Sequence, residues 1–452
     1  MSSFTRDTLR IGCGAGQSDD RIPPAVEVAK HGELDYLVFE CLAERTIGRE
    51  TLTKMHDPER GYTPLLHQRL RAVLPTCVDK GIRIVSNMGA ANPLAGAKAM
   101  RREAQDLGLG DVACAVVRGD DVSDVVRSRP DLTILETGEP LESILPSLVS
   151  ANAYLGADVV VQALATGAPV VLTGRVADPS LFLAPMLYEF GWSYDDLQAL
   201  ARGTVTGHLM ECSASLTGGC FSWPGRKAVP DLARVGYPIA EVSRDGRVRV
   251  SKTPGSGGRL DVMTCTEQLL YEMHDPCAYI TPDCVLDVSD VELTQDGPDR
   301  VAIRGAKARP RTPTYKVVIG YTDGYIGEGE VSYGGIDAVA RAKFAADVVR
   351  ERLDMQGFKY VDYRVDLIGM SSLHGALDTR PEPYEVRLRI AGRSHDRKAA
   401  EAVGFEVRSM HMHGPGGAGG GVGPRLKEVL AVKSVLLPRE LVKPEVLMEG
   451  AL

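Results

Sequence analysis

Long apolar runs are missing from this sequence: no stretch approaches the roughly 20 residues that a membrane helix needs. The first six residues, Met-Ser-Ser-Phe-Thr-Arg, carry no hydrophobic core of signal-peptide type. Cysteine is scattered: nine residues, none in a C-x-x-C pair, which reads as reduced thiols in a cytoplasm and excludes a disulfide framework. A basic excess is also absent. Lys and Arg number 52 against 60 Asp and Glu, and a net charge of -8 argues against a nucleic-acid partner. It leaves open a local cleft for an anionic ligand. The 44% hydrophobic and 25% charged content excludes long disorder. A chain of 452 residues needs more than one core, so two or three domains are expected.

What is present is an alternation of short apolar runs and helical patterns. Strands are expected at 9–13, 35–41, 82–86, 112–117, 157–162 and 170–173, with helices at 24–31, 65–80 and 94–107 between the early ones. That order implies an α/β fold, a largely parallel sheet with helices on both faces, with polar residues gathered at the strand ends. From about residue 236 the texture becomes β-rich, with hairpin turns at Arg244-Asp245-Gly246 and Gln295-Asp296-Gly297. A helix at 338–353 and strands at 360–368, 384–390 and 407–413 follow, the last running into a glycine-rich loop from Gly414. The expected division is an α/β domain over 1–235, a β-rich subdomain over 236–335 and a C-terminal α+β region over 336–452.

Six constellations can carry chemistry. Gly12-x-Gly14-x-Gly16 after the first strand suits an anion, although its third glycine is one residue early for G-x-G-x-x-G and Asp19 and Asp20 stand beside it. A nicotinamide cofactor and a ligand-free tight turn are both open there. Glu40 ends the next strand, and Glu44-Arg45 follow; Arg45 suits a substrate carboxylate and the glutamates suit proton transfer, or the last two are a local ion pair. Asn87 and Asn92 flank Gly89; Asn87 suits an oxyanion, whereas Asn92 before Pro93 suffices as a helix cap. Thr173-Gly174-Arg175 leads to Asp178, an anion clamp with its orienting acid or a helix start. His208 and Glu211 share a helix face at i, i+3, an acid–base pair or two ligands of a metal lacking an obvious third; Cys212 beside them reads as a nucleophile or an inert buried thiol. His411-x-His413 would converge if 407–413 is a strand, and the glycine run after it can form an anion nest or a lid.

Several of these segments in order, Ile-Gly-Cys-Gly-Ala-Gly (11–16), Leu-Asp-Tyr-Leu-Val-Phe-Glu-Cys-Leu-Ala-Glu-Arg-Thr (34–46), Leu-Thr-Gly-Arg-Val-Ala-Asp (172–178) and Gly-His-Leu-Met-Glu-Cys (207–212), resemble the acyclic terpene utilisation family. Thr-Gly-Gly (217–219), Glu-Gln-Leu-Leu-Tyr-Glu (267–272) and the Gly-Pro-Gly-Gly run at 414 extend the resemblance over nearly the whole chain. It implies degradation of citronellol- or geraniol-type compounds through coenzyme A thioesters, or organic-acid metabolism, and association with a small companion protein. Ala90 stands where the family usually has glycine, and the C-terminal extension of longer members is not seen.

The expectation is therefore a cytoplasmic, cofactor-independent lyase (hydratase or dehydratase) or isomerase acting on a small hydroxy- or unsaturated carboxylate or its coenzyme A thioester. An NAD(P)-dependent oxidoreductase and a non-catalytic subunit of a degradative complex are the alternatives. The catalytic set is Glu40, Glu44, His208 and Glu211; the substrate-binding set is Gly14, Gly16, Arg45, Asn87, Asn92, Thr173, Arg175, Asp178, Gly218 and His413. No metal, nucleic acid or membrane is expected, and a homo-oligomer is.

Overall fold

The structure, a computed structural model, describes residues 7–375 and 381–450; the N-terminal hexapeptide read above lies outside them. In chain order the elements begin β1 (Thr8–Gly16), α1 (Pro23–His31), β2 (Tyr36–Glu40), α2 (Glu44–His56), α3 (Leu66–Lys80), β3 (Arg83–Ser86), α4 (Pro93–Asp106), β4 (Cys114–Arg118) and α5 (Ser123–Arg127). Next come β5 (Leu148–Ala153), α6 (Ala157–Ala165), β6 (Val170–Thr173), α7 (Asp178–Phe190), α8 (Leu197–Met210), β7 (Pro238–Ser243), β8 (Val248–Lys252) and α9 (Val262–Leu269). Then follow β9 (Tyr279–Ile280), β10 (Cys284–Asp287), β11 (Glu292–Gln295), β12 (Arg300–Arg304), β13 (Lys307–Pro310) and β14 (Thr314–Gly334). The chain ends with α10 (Ala338–Met355), β15 (Asp362–Ile368), β16 (Glu385–Ser394), α11 (Arg397–His413), β17 (Ala418–Gly419), β18 (Arg425–Pro438) and β19 (Glu445–Glu449). None of the described helices is long and apolar enough to cross a membrane.

Two compact units result: Met1–Gly320 with Val432–Leu452, and Tyr321–Ala431. This differs from the three expected segments, because the hairpin strands of 236–335 and the last strand join the first unit's large sheet. That sheet runs β11-β12-β8-β7-β1-β2-β3-β6-β4-β19. Only its middle, β1-β2-β3-β6-β4, is parallel; β7, β8, β12 and β11 on one side and β19 on the other are antiparallel. "Largely parallel" is corrected to mixed. Short hairpin turns such as Arg244-Asp245-Gly246 can only join antiparallel strands, so the β-rich segment extends the sheet antiparallel.

Helices do cover both faces, and alternation along the strands decides which side chains meet them. Tyr36 and Val38 point to the core shared with α6, α7 and α8, and Leu37 and Phe39 to the core shared with α1, α3 and α4. Asp196 caps α8 through Gln198 and Ala199 N–H groups, and Asn92 caps α4 through Ala95 N–H.

Three expected elements change character. Residues 157–162 are helical: burial at Ala157, Val159, Val160, Ala163 and Leu164 has the 3.6 period, with Asp158 and Gln162 on the less buried side, and the β-branched Val159-Val160-Val161 gives the segment its strand-like look. Residues 407–413 are the end of α11, whose buried positions Ala399, Ala400, Val403, Val407 and Met410 are also helical. His411 and His413 are both exposed, and two residues apart on a helix they face roughly 200° apart, so they do not converge. Finally, the first glycines form no loop. Gly12, Gly14 and Gly16 all lie inside β1, and a spacing of two is a strand's own period. A Cβ would lie 2.5 Å from Leu34 at Gly12, 2.5 Å from the Phe39 ring at Gly14 and 2.7 Å from the Cys212 backbone at Gly16. Close packing, with a register shift between Cys13 and Ala15, accounts for these glycines.

In the second unit β15-β16-β14-β17 form a sheet, with α10 and α11 on the face carrying Val331, Tyr333, Leu388 and Ile390. Gly329 lets α11 approach: a Cβ there would stand 2.8 Å from Val407.

Candidate functional site

The site grows from the carboxyl ends of the parallel strands, where open α/β sheets present ligand-binding residues. Glu40 is the last residue of β2 and is buried. Its Oε1 accepts from Leu42 N–H (2.8 Å) and from Asn87 Nδ2 (2.9 Å), while Asn87 Oδ1 accepts from Cys41 N–H (2.7 Å). Asn87 thus positions Glu40 instead of pointing at an oxyanion. Burial, followed by the charge of Asp178, raises the Glu40 carboxyl to about 8 against the lowering by Arg175, Leu42 and Asn87.

Arg175 is the buried cation among these acids. Its Nη1 donates to Leu42 O, and its Nη2 donates to Val176 O (3.0 Å) and to Asp178 Oδ1. The guanidinium lies over the Tyr154 ring, 4.4 Å from its centroid. The backbone N–H of Arg175 donates to the buried Asp120 Oδ2 (2.9 Å), which also accepts from Asn152 Nδ2 (2.9 Å). Asp178 orients Arg175 and opens α7 at once. Both η nitrogens bond the chain, which ties Arg175 to Asp178, while its Nε is buried without a hydrogen-bond partner.

Glu44 opens α2. Tyr154 donates its hydroxyl to Glu44 Oε1 (2.6 Å), and Lys316 Nζ stands 3.5 Å from the same oxygen. Burial opposes the charge of Glu44, but Tyr154, the helix amide, Arg175 and Lys316 outweigh it and hold the carboxyl down at about 2. A cavity of about 230 Å³ opens above these groups, lined among others by Glu44, Tyr154, Asp178, Glu272, Tyr279 and Lys316.

His208 and Glu211 meet as their spacing predicts, with Nδ1 3.0 Å from Oε1. The other ring nitrogen, Nε2, lies 3.0 Å from Leu269 O. A carbonyl can only accept, so Nε2 carries a hydrogen. The contact at Nδ1 is then a bond from a protonated Glu211 to a neutral imidazole, or from an imidazolium to a carboxylate. In either form the pair holds one proton more than a neutral histidine beside a carboxylate. Burial first, then the charges of Asp178 and Glu272, raise Glu211 to about 7 against its bond with His208. Burial works against a charged His208, yet the bond and charge of Glu211 raise it above its ordinary value. Glu211 Oε2 is buried and without a hydrogen-bond partner, and Tyr279 of the cavity wall packs on the His208 ring at 5.1 Å. Burial and then the charge of Glu211 push the Cys212 thiol up, which disfavours the thiolate that a nucleophile needs.

The remaining expected residues lie elsewhere. Gly16 donates its N–H to Asp20 Oδ2 (2.9 Å), which also accepts from Ser213 Oγ (2.7 Å), so the chain's own carboxylate fills this anion site. Gly14 packs on Phe39. Thr173 is buried with its hydroxyl bonded to Gly174 O (2.9 Å). Arg45 is exposed on α2. Asn92 caps α4 and bonds Pro58 O and Arg60 O. Gly218 has φ +97 and abuts Val229. His413 is exposed at the end of α11 in the second unit. Ala90 takes φ +46, a left-handed conformation that glycine adopts freely. Among the described residues no group of three His, Cys, Asp or Glu is arranged to hold a metal.

Tyr154, Lys316, Asp120 and Glu272 had no part in the reading from sequence. Glu272 was within reach, because it closes the Glu-Gln-Leu-Leu-Tyr-Glu segment; its φ of +55 is an uncommon conformation at the cavity wall. Tyr154 and Lys316 are brought in by a pairing of β5 with β14 that the sequence does not announce.

No curated protein and no solved structure matches the chain. The model of the family described as acyclic terpene utilisation family protein AtuA matches residues 9–448, and the chain belongs to that family.

Proposed function

We propose that the strand-end cluster performs cofactor-independent proton transfer, as a lyase of the hydratase or dehydratase type or as an isomerase, within the acyclic terpene utilisation to which the family name ties the chain. The substrate in this reading is a small hydroxy- or unsaturated carboxylate or its coenzyme A thioester. The single observation that carries it is the buried contact between His208 and Glu211, 3.0 Å apart, beside an unpartnered Glu211 oxygen. Glu40, raised, and Glu44, lowered, supply the contrast between a carboxyl that keeps its proton and one that stays ionised, which acid–base catalysis requires.

In such a reaction Glu211 takes or returns the proton on carbon, and protonated Glu40 delivers one to a departing hydroxyl or developing enolate oxygen. Lys316, at the cavity mouth, offers the cation for a carboxylate, the part first given to Arg45 and Arg175. The nicotinamide alternative loses its footing, because the glycines expected to cradle a pyrophosphate are packed inside β1 and the Gly16 amide is bonded to Asp20.

The test is incubation of the full chain in D2O with a panel of hydroxy acids and enoyl thioesters, followed by NMR. Deuterium at the carbon next to the carbonyl, lost in Glu211→Gln and in Glu40→Gln, is the expected result. No incorporation or turnover with any member, or unchanged rates in both variants, overturns the reading.

A further inference from the structure

The large sheet has a second polar cleft at its other end. β1 enters at Thr8, paired with Ser243, and ends at Gly16 against Cys212 beside the acid cluster. The turn after Ser243 lines a cavity of about 410 Å³, together with residues of α8 and β12. Helix α8 joins the two places: Arg202 lines the cleft, and His208 belongs to the acid cluster.

Four arginines face this cavity, Arg202, Arg247, Arg249 and Arg304, against a single acid, Asp245. That balance is unusual in a chain of net charge -8. Arg247 bonds Asp245, Arg249 bonds Asp296 and Arg304 bonds Glu292, each through Nε. Arg249 Nη1 also stands 3.6 Å from Glu241, beyond hydrogen-bond reach. The η nitrogens of these three make no hydrogen bond among the described residues. Arg202 has no carboxylate partner there; its Nη1 reaches only the Asp245 carbonyl, at 3.5 Å. Gly246, at φ +86, leaves it the space, since a Cβ would lie 2.0 Å from that nitrogen.

We propose that this arginine cleft is a binding site for a phosphate-bearing anion, separate from the acid cluster. Planar guanidinium groups bind phosphate oxygens two at a time. Asp245, Asp296 and Glu292 offset three of the charges. What the cleft offers an anion is the unbonded η N–H groups of those arginines together with Arg202, which has no carboxylate partner among the described residues. Neighbouring acids hold the Nε of Arg247, Arg249 and Arg304 and leave their η nitrogens without a hydrogen bond among the described residues.

The experiment is calorimetric titration of the full chain with pyrophosphate and, separately, with a simple phosphate monoester, at low and matched ionic strength with chloride as control. Saturable binding is expected, weakened about tenfold or more in Arg202→Ala and less in Arg304→Ala. Lys316→Ala, at the other cavity, should bind as the wild type does. Tighter pyrophosphate binding assigns a polyphosphate, and tighter monoester binding a phosphate ester. If Arg202→Ala does not fold, Arg304→Ala, with a side chain 75% exposed, decides. Absence of saturation, wild-type affinity in both arginine variants, or a loss confined to Lys316→Ala overturns the proposal.

Discussion

The acid cluster of the first unit and the sheet of the second treat their acids in opposite ways. In the second, strand acids share several arginines: Arg389 pairs Glu328 and Asp366, Arg393 pairs Asp323 and Asp362, Arg425 pairs Glu328 and Glu330, Arg387 pairs Glu330 and Arg364 pairs Asp366. In the first, Glu40, Asp178 and Glu211 are gathered with one buried cation, Arg175, and their carboxyls are all raised by burial. The difference teaches that the ratio of cations to acids, together with depth, decides whether a carboxylate is a fastening or a proton store. Matched pairs in water's reach are worth about 0–1 kcal/mol each. Unmatched buried carboxyls keep protons at a cost to stability.

The largest effect should come from removing the buried cation of the acid cluster. Arg175→Ala is expected to cost about 3–5 kcal/mol in denaturant unfolding, because Asp178 and the Leu42 carbonyl lose their partner inside the protein. A loss under about 1 kcal/mol would erase the distinction drawn between the units. Next, Glu211→Gln should lower proton exchange on an accepted substrate about 100-fold or more, with the fold kept by far-UV circular dichroism. Retention of the rate would return the His208–Glu211 pair to a structural role.

A smaller effect concerns pH. The folded-state pKa of Glu40, about 8, lies above its ordinary 4.5, so its contribution to stability is fully present below 4.5 and is lost as pH rises through about 8. Wild type should therefore lose roughly 1–3 kcal/mol more than Glu40→Gln between about pH 5 and pH 9, measured by paired denaturation curves. Parallel curves would show that Glu40 ionises as freely as a surface acid. The smallest effect belongs to the second unit: Arg389→Ala should cost about 1 kcal/mol or less, and less again in high salt. A cost equal to that of Arg175→Ala would place the second unit's ion pairs in the same class as the first unit's.

Much of the first unit was legible because its strands and helices repeat at periods of two and 3.6. Val170–Thr173 was placed to the residue, and the His208–Glu211 contact followed from spacing alone. Legibility failed where period was hidden or geometry shared. In residues 157–162 the β-branched run Val159-Val160-Val161 has the look of a strand, and the helical phase is carried only by Asp158 and Gln162, four residues apart. Gly12, Gly14 and Gly16 were taken as a ligand loop although their spacing fits a strand, because the reason for them is Leu34, Phe39 and Cys212, far along the chain. The spacing pairs Arg175 with Asp178, but the bonds of its η nitrogens to Leu42 O and Val176 O are not legible in it.

Local chemistry was thus determined by the sequence itself: which residues can carry protons, which helix face bears His208 and Glu211, and membership of the family. Only the tertiary structure decided the protonation of those groups and what was left free for a ligand. A pKa depends on burial and on charges contributed by distant segments, and Tyr154, Lys316 and Asp178 come to Glu44 and Glu40 from three separate stretches of chain. Spacing along a chain governs neighbours within a turn or a strand; desolvation and Coulomb energy depend on distance in space.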